Sequence, residues 1–239
     1  MSGHSKWSQI KHKKAATDAK KGKLFSKLIR EITVAARTGG ASPDTNSALR
    51  SAVERARGLG LPKDNIERAI ARASGTGEDG SLQEFLYEAT APAGVMILIE
   101  GITDNTNRSR AEIRKILESR GARMADPGSI AWNFENMGVI EIEEAAAPDD
   151  CELLCIEAGA RDIEKGQGVW YVETEFSAMD AVRRELEARG IAVKSADRDY
   201  KPKNTVALDN ETRERTEALL ETLSDHDDVQ DVYSNLEGQ

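Results

Sequence analysis

The chain has 239 residues, 39% of them hydrophobic and 31% charged, with a formal net charge of −9. At roughly 150 residues per domain this allows one large domain or up to three small ones, and the apolar share can fill packed cores, which argues against a wholly disordered chain. The longest uncharged apolar run, Ala93 to Ile99, is far short of the ~20 residues that cross a bilayer. The basic N-terminus has no apolar stretch behind it, so neither a membrane span nor a secretory route is expected. Two cysteines are too few for a disulfide scaffold and point to the cytoplasm.

The first thirty residues carry Lys6, Lys11, Lys13, Lys14, Lys20, Lys21, Lys23, Lys27 and Arg30 against Asp18 alone, a balance of +8. Residues 1–75 as a whole are at +10 and the remaining 164 at −19. One end suits a polyanion and the rest repels it. Trp7 stands among the first lysines and could stack on a base, with Ser5, Ser8 and Gln9 able to bond phosphate oxygens. These ten residues, the nine cations and Trp7, are the candidate nucleic-acid-binding set, with affinity expected to lie in residues 1–30.

Apolar residues then recur at helical spacing in Phe25, Leu28, Ile29, Ile32 and Ala36, until Gly39 and Gly40 stop the pattern. A second helix is predicted over Asn46 to Leu59, with Leu49, Ala52, Val53 and Ala56 inward and Arg50, Arg55 and Arg57 outside. A third opens at Pro62, with Ile66, Ala69, Ile70 and Ala73 inward. Residues 1–75 therefore read as a basic tail and a small three-helix unit. Gly75, Gly77 and Gly80 match GxGxxG, but they follow a helix and precede a strand, the reverse of a dinucleotide site, and read as a linker.

Strand periods follow at Phe85 to Ala91 and Val95 to Ile102, then a helix from Thr106 to Arg120. At the other end Thr205 to Leu208, Asn210 to Leu223 and Val229 to Ser234 read as strand, helix, strand. Between them Val139 to Ile142, Pro148 to Ala158, Ala160 to Ile163, Val169 to Glu175, Ser177 to Arg189 and Ile191 to Ser195 give βαββαβ. The expected fold is α+β: an N-terminal basic three-helix domain (1–75) followed by two ferredoxin-like α/β domains, a discontinuous one (81–130 plus 204–239) and a third inserted into it (131–203). RNA-recognition modules share the βαββαβ order. Here the third strand lacks the aromatic platform and residues 137–199 are at −9, so Trp170 and Tyr171 read as strand core and its reverse face.

Cys151 and Cys155, one helical turn apart, have no second Cys or His pair to complete a metal site and read as buried small residues. His4, His12 and His226 form no metal motif, no nucleophile and base pair emerges, and no metal, cofactor or catalytic residue is expected.

The segments Gly3-His4-Ser5-Lys6-Trp7, Ile10-Lys11, Lys14, Asp18, Lys21-Gly22-Lys23 and Phe25-Ser26-Lys27 closely resemble the N-terminal signature of the YebC/PmpR family. The likeness continues through Asn46, Leu49-Arg50, Ala52-Val53, Ala56-Arg57 and Leu61 to Ile70. It then takes in Tyr87-Glu88, Asp104-Asn105, the strand Gly128 to Trp132 and the closing Val232-Tyr233. The resemblance implies a three-domain bacterial protein described as a DNA-binding transcriptional regulator, with mitochondrial relatives that activate translation. It also implies a ribosome-associated factor that relieves stalling at proline-rich stretches. Two loops depart from the family pattern, Ala89 to Gly94 and Gly121 to Pro127. The expected partner is nucleic acid, rRNA or DNA, with the ribosome as the wider target. No helix-turn-helix is discernible, so base-specific reading is unexplained, and a structured RNA surface read by shape and charge asks less of these residues.

Overall fold

The computed structural model describes residues 18–74, 82–166 and 168–237. Its first element, α1 (Asp18–Gly39), is followed by α2 (Ser47–Gly58) and α3 (Lys63–Ser74). Leu28, Ile32, Ala36, Leu49, Val53, Ala56, Leu61, Ile66 and Ala69 close their shared core. Asn46 joins the first two helices: its Oδ1 accepts from the Leu49 N–H at 3.0 Å as an N-cap, and its Nδ2 donates to the carbonyls of Ala35 and Gly40, each at 2.8 Å.

The second domain starts with β1 (Gln83–Ala91), β2 (Val95–Thr103), α4 (Thr106–Ser119) and β3 (Arg123–Met124). The chain then leaves for the third domain: β4 (Phe134–Glu143), α5 (Cys151–Ala158), β5 (Asp162–Lys165), β6 (Val169–Glu175), α6 (Met179–Ala188) and β7 (Val193–Pro202). It returns as α7 (Asn210–Ser224) and β8 (Val229–Ser234). The result is two four-stranded antiparallel sheets, ordered β3-β1-β2-β8 and β5-β6-β4-β7. The second order is that of a ferredoxin-like βαββαβ unit. The fold is thus α+β, with the third domain inserted into the second. Helices α4 and α7 cover one face of the first sheet over Ile97, Ile99, Ile113, Leu117, Leu219 and Leu223. Helices α5 and α6 cover the second over Ile140, Ile142, Trp170, Val172 and Leu186.

Two devices hold the second and third domains together. Leu98, Ile130, Phe134, Tyr200 and Tyr233 form a separate buried cluster between the sheets. The two chain segments that cross between domains are stapled by Asn133 and Asn204: Asn133 Oδ1 accepts from Asn204 N (3.0 Å) and Nδ2 (2.9 Å), and its Nδ2 donates to the Asn204 carbonyl (3.0 Å). Beside them the buried Glu88 carboxylate accepts from the backbone N–H groups of Gly128 (2.5 Å), Ile130 (2.7 Å) and Ala131 (3.0 Å).

Several sequence expectations need correction. Among the described residues helix α1 begins at Asp18, seven residues before Phe25, because its first turns carry charged residues outside the apolar stripe that marked the pattern. Gly128 to Trp132 is not a strand; Glu88 gathers its N–H groups, and Ala131 to Asn133 makes a 3-10 turn. Thr205 to Leu208 is not a strand either. It makes a single parallel bridge, Val206 to Leu236, since the segment must turn at once into the Asp209 cap of α7. Strand β7 runs to Pro202, well past Ser195, paired with β4 along its length, and its charged alternation hid it. The two-residue β3 was too short to show a period. Helix α5 starts at Cys151, three residues after Pro148. Among the described residues no helix is long and apolar enough to cross a membrane.

Candidate nucleic-acid interface

Lys23, Lys27 and Arg30 are spaced by four and three residues and so share one face of α1. That face lies on the turn between α7 and β8. The Lys27 ammonium donates to the Ser224 carbonyl (2.6 Å), Lys23 donates to the Asp225 carbonyl (3.3 Å), and Arg30 donates to the Asp227 carbonyl (2.8 Å). The last carbonyls of a helix have no partner within it and form the negative end of its dipole. Lys27 and Lys23 therefore cap α7, and Arg30 holds the turn beyond it. Lys23 adds an ion pair to Asp227 at 3.1 Å. Burial lowers the Lys27 pKa to about 8, against the opposing pull of Asp225 and Asp227.

Arg30 also bonds Asp228 Oδ1 at 2.7 Å. Asp228 is 2% exposed and is the hub of the contact. Its other oxygen accepts from Ser109 Oγ (2.6 Å), Arg108 Nη2 (2.8 Å) and Thr103 Oγ1 (3.2 Å). Burial alone would raise this carboxyl, but the donors from Ser109 and Arg108 and the charge of Arg30 hold it at about 2. The backbone fits as closely: the Asp228 carbonyl accepts from Ile102 N–H at 2.8 Å, and a Cβ on Gly101 would collide with that carbonyl and with the Phe85 ring.

A second contact joins the helical domain to the third domain. Arg50 of α2 bonds Asp180 (3.0 Å), and Arg55 bonds Asp197 through Nε (3.0 Å) and Nη2. Arg183, 3% exposed on α6, reaches both Glu54 oxygens at 3.1 and 2.9 Å. Asp197 and Glu31 raise the Arg55 pKa despite its burial. Nearby, burial pushes the Tyr233 phenol well above its ordinary range; its hydroxyl lies 3.4 Å from Glu100. Arg55, Asp197 and Tyr233 come one from each domain.

Among the candidate binding residues, Lys6, Trp7, Lys11, Lys13 and Lys14 lie outside the described residues, and Lys20 is described only as part of the α1 backbone. Lys21 is exposed at the start of α1. Lys23, Lys27 and Arg30 are brought together, but on protein carbonyls and carboxylates, so a phosphate reaching them would have to displace those. Residues 18–30 are a helix whose Leu28 belongs to the core, and are not a detachable tail. Arg50 and Arg55, read as outward, face the third domain, whereas Arg57 is exposed. The missed partners are Asp225, Asp227 and Asp228; the run Asp225-His226-Asp227-Asp228 directly after a helix was the available sign. Trp170 sits in the third-domain core and Tyr171 on the reverse face of β6, as read. Cys151 and Cys155 are fully buried, their sulfurs 3.9 Å apart, and burial pushes the Cys155 thiol up to about 12. A thiol held neutral in this way is a poor metal ligand.

Residues 5–76 match the family model described as the TACO1/YebC protein N-terminal domain, and residues 82–236 match that of the TACO1/YebC second and third domain. Proteins named "probable transcriptional regulatory protein" are similar over nearly the whole chain. The one from Fervidobacterium nodosum is 48% identical and the one from Kosmotoga olearia 47%, each match covering 99% of this chain and 94% of the relative. The crystal structure of a conserved hypothetical protein from Aquifex aeolicus has the same fold, with a TM-score of 0.88 at 40% identity, covering 98% of this chain and 97% of that one.

Proposed function

Because the chain belongs to the TACO1/YebC family, we propose that it is a cytoplasmic nucleic-acid-binding regulator of gene expression of the YebC type. In this reading it is a ribosome-associated translation factor that acts at stalled, proline-rich sites through rRNA contacts of its basic N-terminal domain. One observation carries the choice of mechanism: two groups of the helical domain's cations are engaged with the acidic domains. Arg50 and Arg55 of α2 are committed to the third domain, and Lys23, Lys27 and Arg30 to the turn after α7. Helix α2, with two of its arginines so engaged, is ill suited to base-edge reading in a major groove. Of the cations in the first thirty residues, Lys6, Lys11, Lys13, Lys14, Lys20 and Lys21 belong to neither group, a run suited to sequence-tolerant phosphate contacts on a folded RNA. The alternative is DNA-binding transcriptional regulation, in line with the relatives' name of probable transcriptional regulatory protein.

The test is sedimentation of lysate with and without DNase. The protein is expected to travel with ribosomal particles at low salt and to move to the top of the gradient above about half-molar salt, where screening shortens to a few ångströms. DNase should change nothing. Changing Lys11, Lys14 and Lys21 to Ala should weaken binding to many sequences equally, as phosphate contacts do. Absence from ribosomal fractions, with DNase-sensitive association with the nucleoid, would return transcriptional regulation to first place.

A further inference from the structure

Helix α5 is apolar on opposite sides. Cys151 and Cys155 point into the third-domain core, fully buried, while Leu153 and Ile156, three residues apart and on the far side, are 56% and 57% exposed. A helix with apolar residues on both sides is normally covered on both. Around this ridge, residues 143–157 hold Glu143, Glu144, Asp149, Asp150, Glu152 and Glu157 and no Lys or Arg. Two of the six are paired, Glu152 with Lys165 at 3.7 Å and Glu157 with Arg189 at 2.6 Å. The helix contacts β5, at the opposite sheet edge from β7, where the helical domain packs.

We propose that this face docks a basic amphipathic helix of a partner protein. The aliphatic ridge would meet the partner's apolar stripe, and the acidic rim would meet its flanking lysines and arginines. The argument is charge complementarity. A nucleic-acid backbone would be repelled by the rim, and a second copy of this face would set acid against acid. An apolar centre inside a charged rim is the ordinary composition of a protein interface, and an aliphatic pair three residues apart matches the ridge spacing of helix-in-groove recognition. The site is separate from the basic segment, so it does not depend on what that segment binds.

The full-length chain would be titrated with a fluorescent eighteen-residue Leu/Lys peptide designed as an amphipathic helix, and with a scrambled peptide of the same composition lacking the stripe. The designed peptide is expected to bind at least tenfold more tightly than the scrambled one. The double change Leu153→Ser and Ile156→Ser should weaken it at least tenfold, and Asp149→Asn with Asp150→Asn several-fold. Both serine positions are exposed, so an unchanged thermal midpoint is the folding control. Equal binding of the two peptides, or no loss in the serine variant, would overturn the proposal. Self-association of the wild-type chain that the serine variant abolishes would overturn it in favour of a second copy. Binding of an rRNA fragment by the same variants should equal wild type, so failure of the nucleic-acid reading would leave the peptide result standing.

Discussion

Asp228 receives side-chain donors from Arg30 of the helical domain and from Thr103, Arg108 and Ser109 of the second, in a site with 2% exposure. Replacing it by Asn keeps the size but removes the charge that two guanidinium groups share, and is expected to cost about 2–3 kcal/mol in urea unfolding. Its pH dependence has a definite sign. The folded carboxyl titrates at about 2, below its ordinary 3.8, so its contribution is present in full above pH 4 and is lost as pH falls through 2. In that window the Asn variant should flatten the acid limb of the stability curve, read from thermal midpoints between pH 2 and 5. An unchanged acid limb would mean that Asp228 is not the group responsible.

At the scale of elements, the neck of the inserted domain rests on few atoms. Asn133 is fully buried and its amide makes three bonds to the exposed Asn204, so Asn133→Ala removes three hydrogen bonds at once from the neck, at about 2–3 kcal/mol. Amide exchange should rise first at residues 130–134 and 202–206, before the cores of either sheet. The βαββαβ order of the inserted domain was legible because Ile140 and Ile142, Trp170 and Val172, and Val182 and Leu186 place one face of each element in a common core. The far half of β7 was not, because Asp197 meets Arg55 of α2 and Lys201 meets Glu173 across the sheet, and such a strand has no apolar period. The same reason hid the candidate site's surroundings. An arginine on the outer face of α2 looks alike in sequence whether it meets water or an aspartate 142 positions away. The excess charge of the first thirty residues was plain; that two of its members cap α7 and a third holds the turn after it was not.

For the whole molecule, the basic and acidic portions are partly neutralised against each other where they touch, so salt should act on two processes. Binding through six remaining lysines gives an expected slope of log K against log salt of about −5 on duplex DNA, or −4 on single strands. Removing residues 1–17 takes four of those lysines, Lys6, Lys11, Lys13 and Lys14, and should flatten the duplex slope to about −2 while the thermal midpoint stays put. Removing residues 1–30 instead would also delete Leu28 from the helical core and Arg30 from Asp228, and should lower the midpoint as well. A slope that survives the shorter deletion would place the phosphate contacts elsewhere.

The insertion of one domain into another also sets an order of assembly during synthesis. The three helices and the inserted sheet are each made of contiguous chain and can close as soon as they are complete. The sheet around β1 and β2 cannot: its neighbour β8, which covers the edge at Ile97, Leu98 and Ile99, is made last. Until then that edge stays open between two finished units. The turn bearing Asp228 directly precedes β8, so the same final residues that complete the sheet also fasten the first helices to it. Chains that end prematurely before α7 should therefore carry two protease-resistant parts separated by a sensitive one at residues 83–124, which a single late step, the pairing of β8, should then protect.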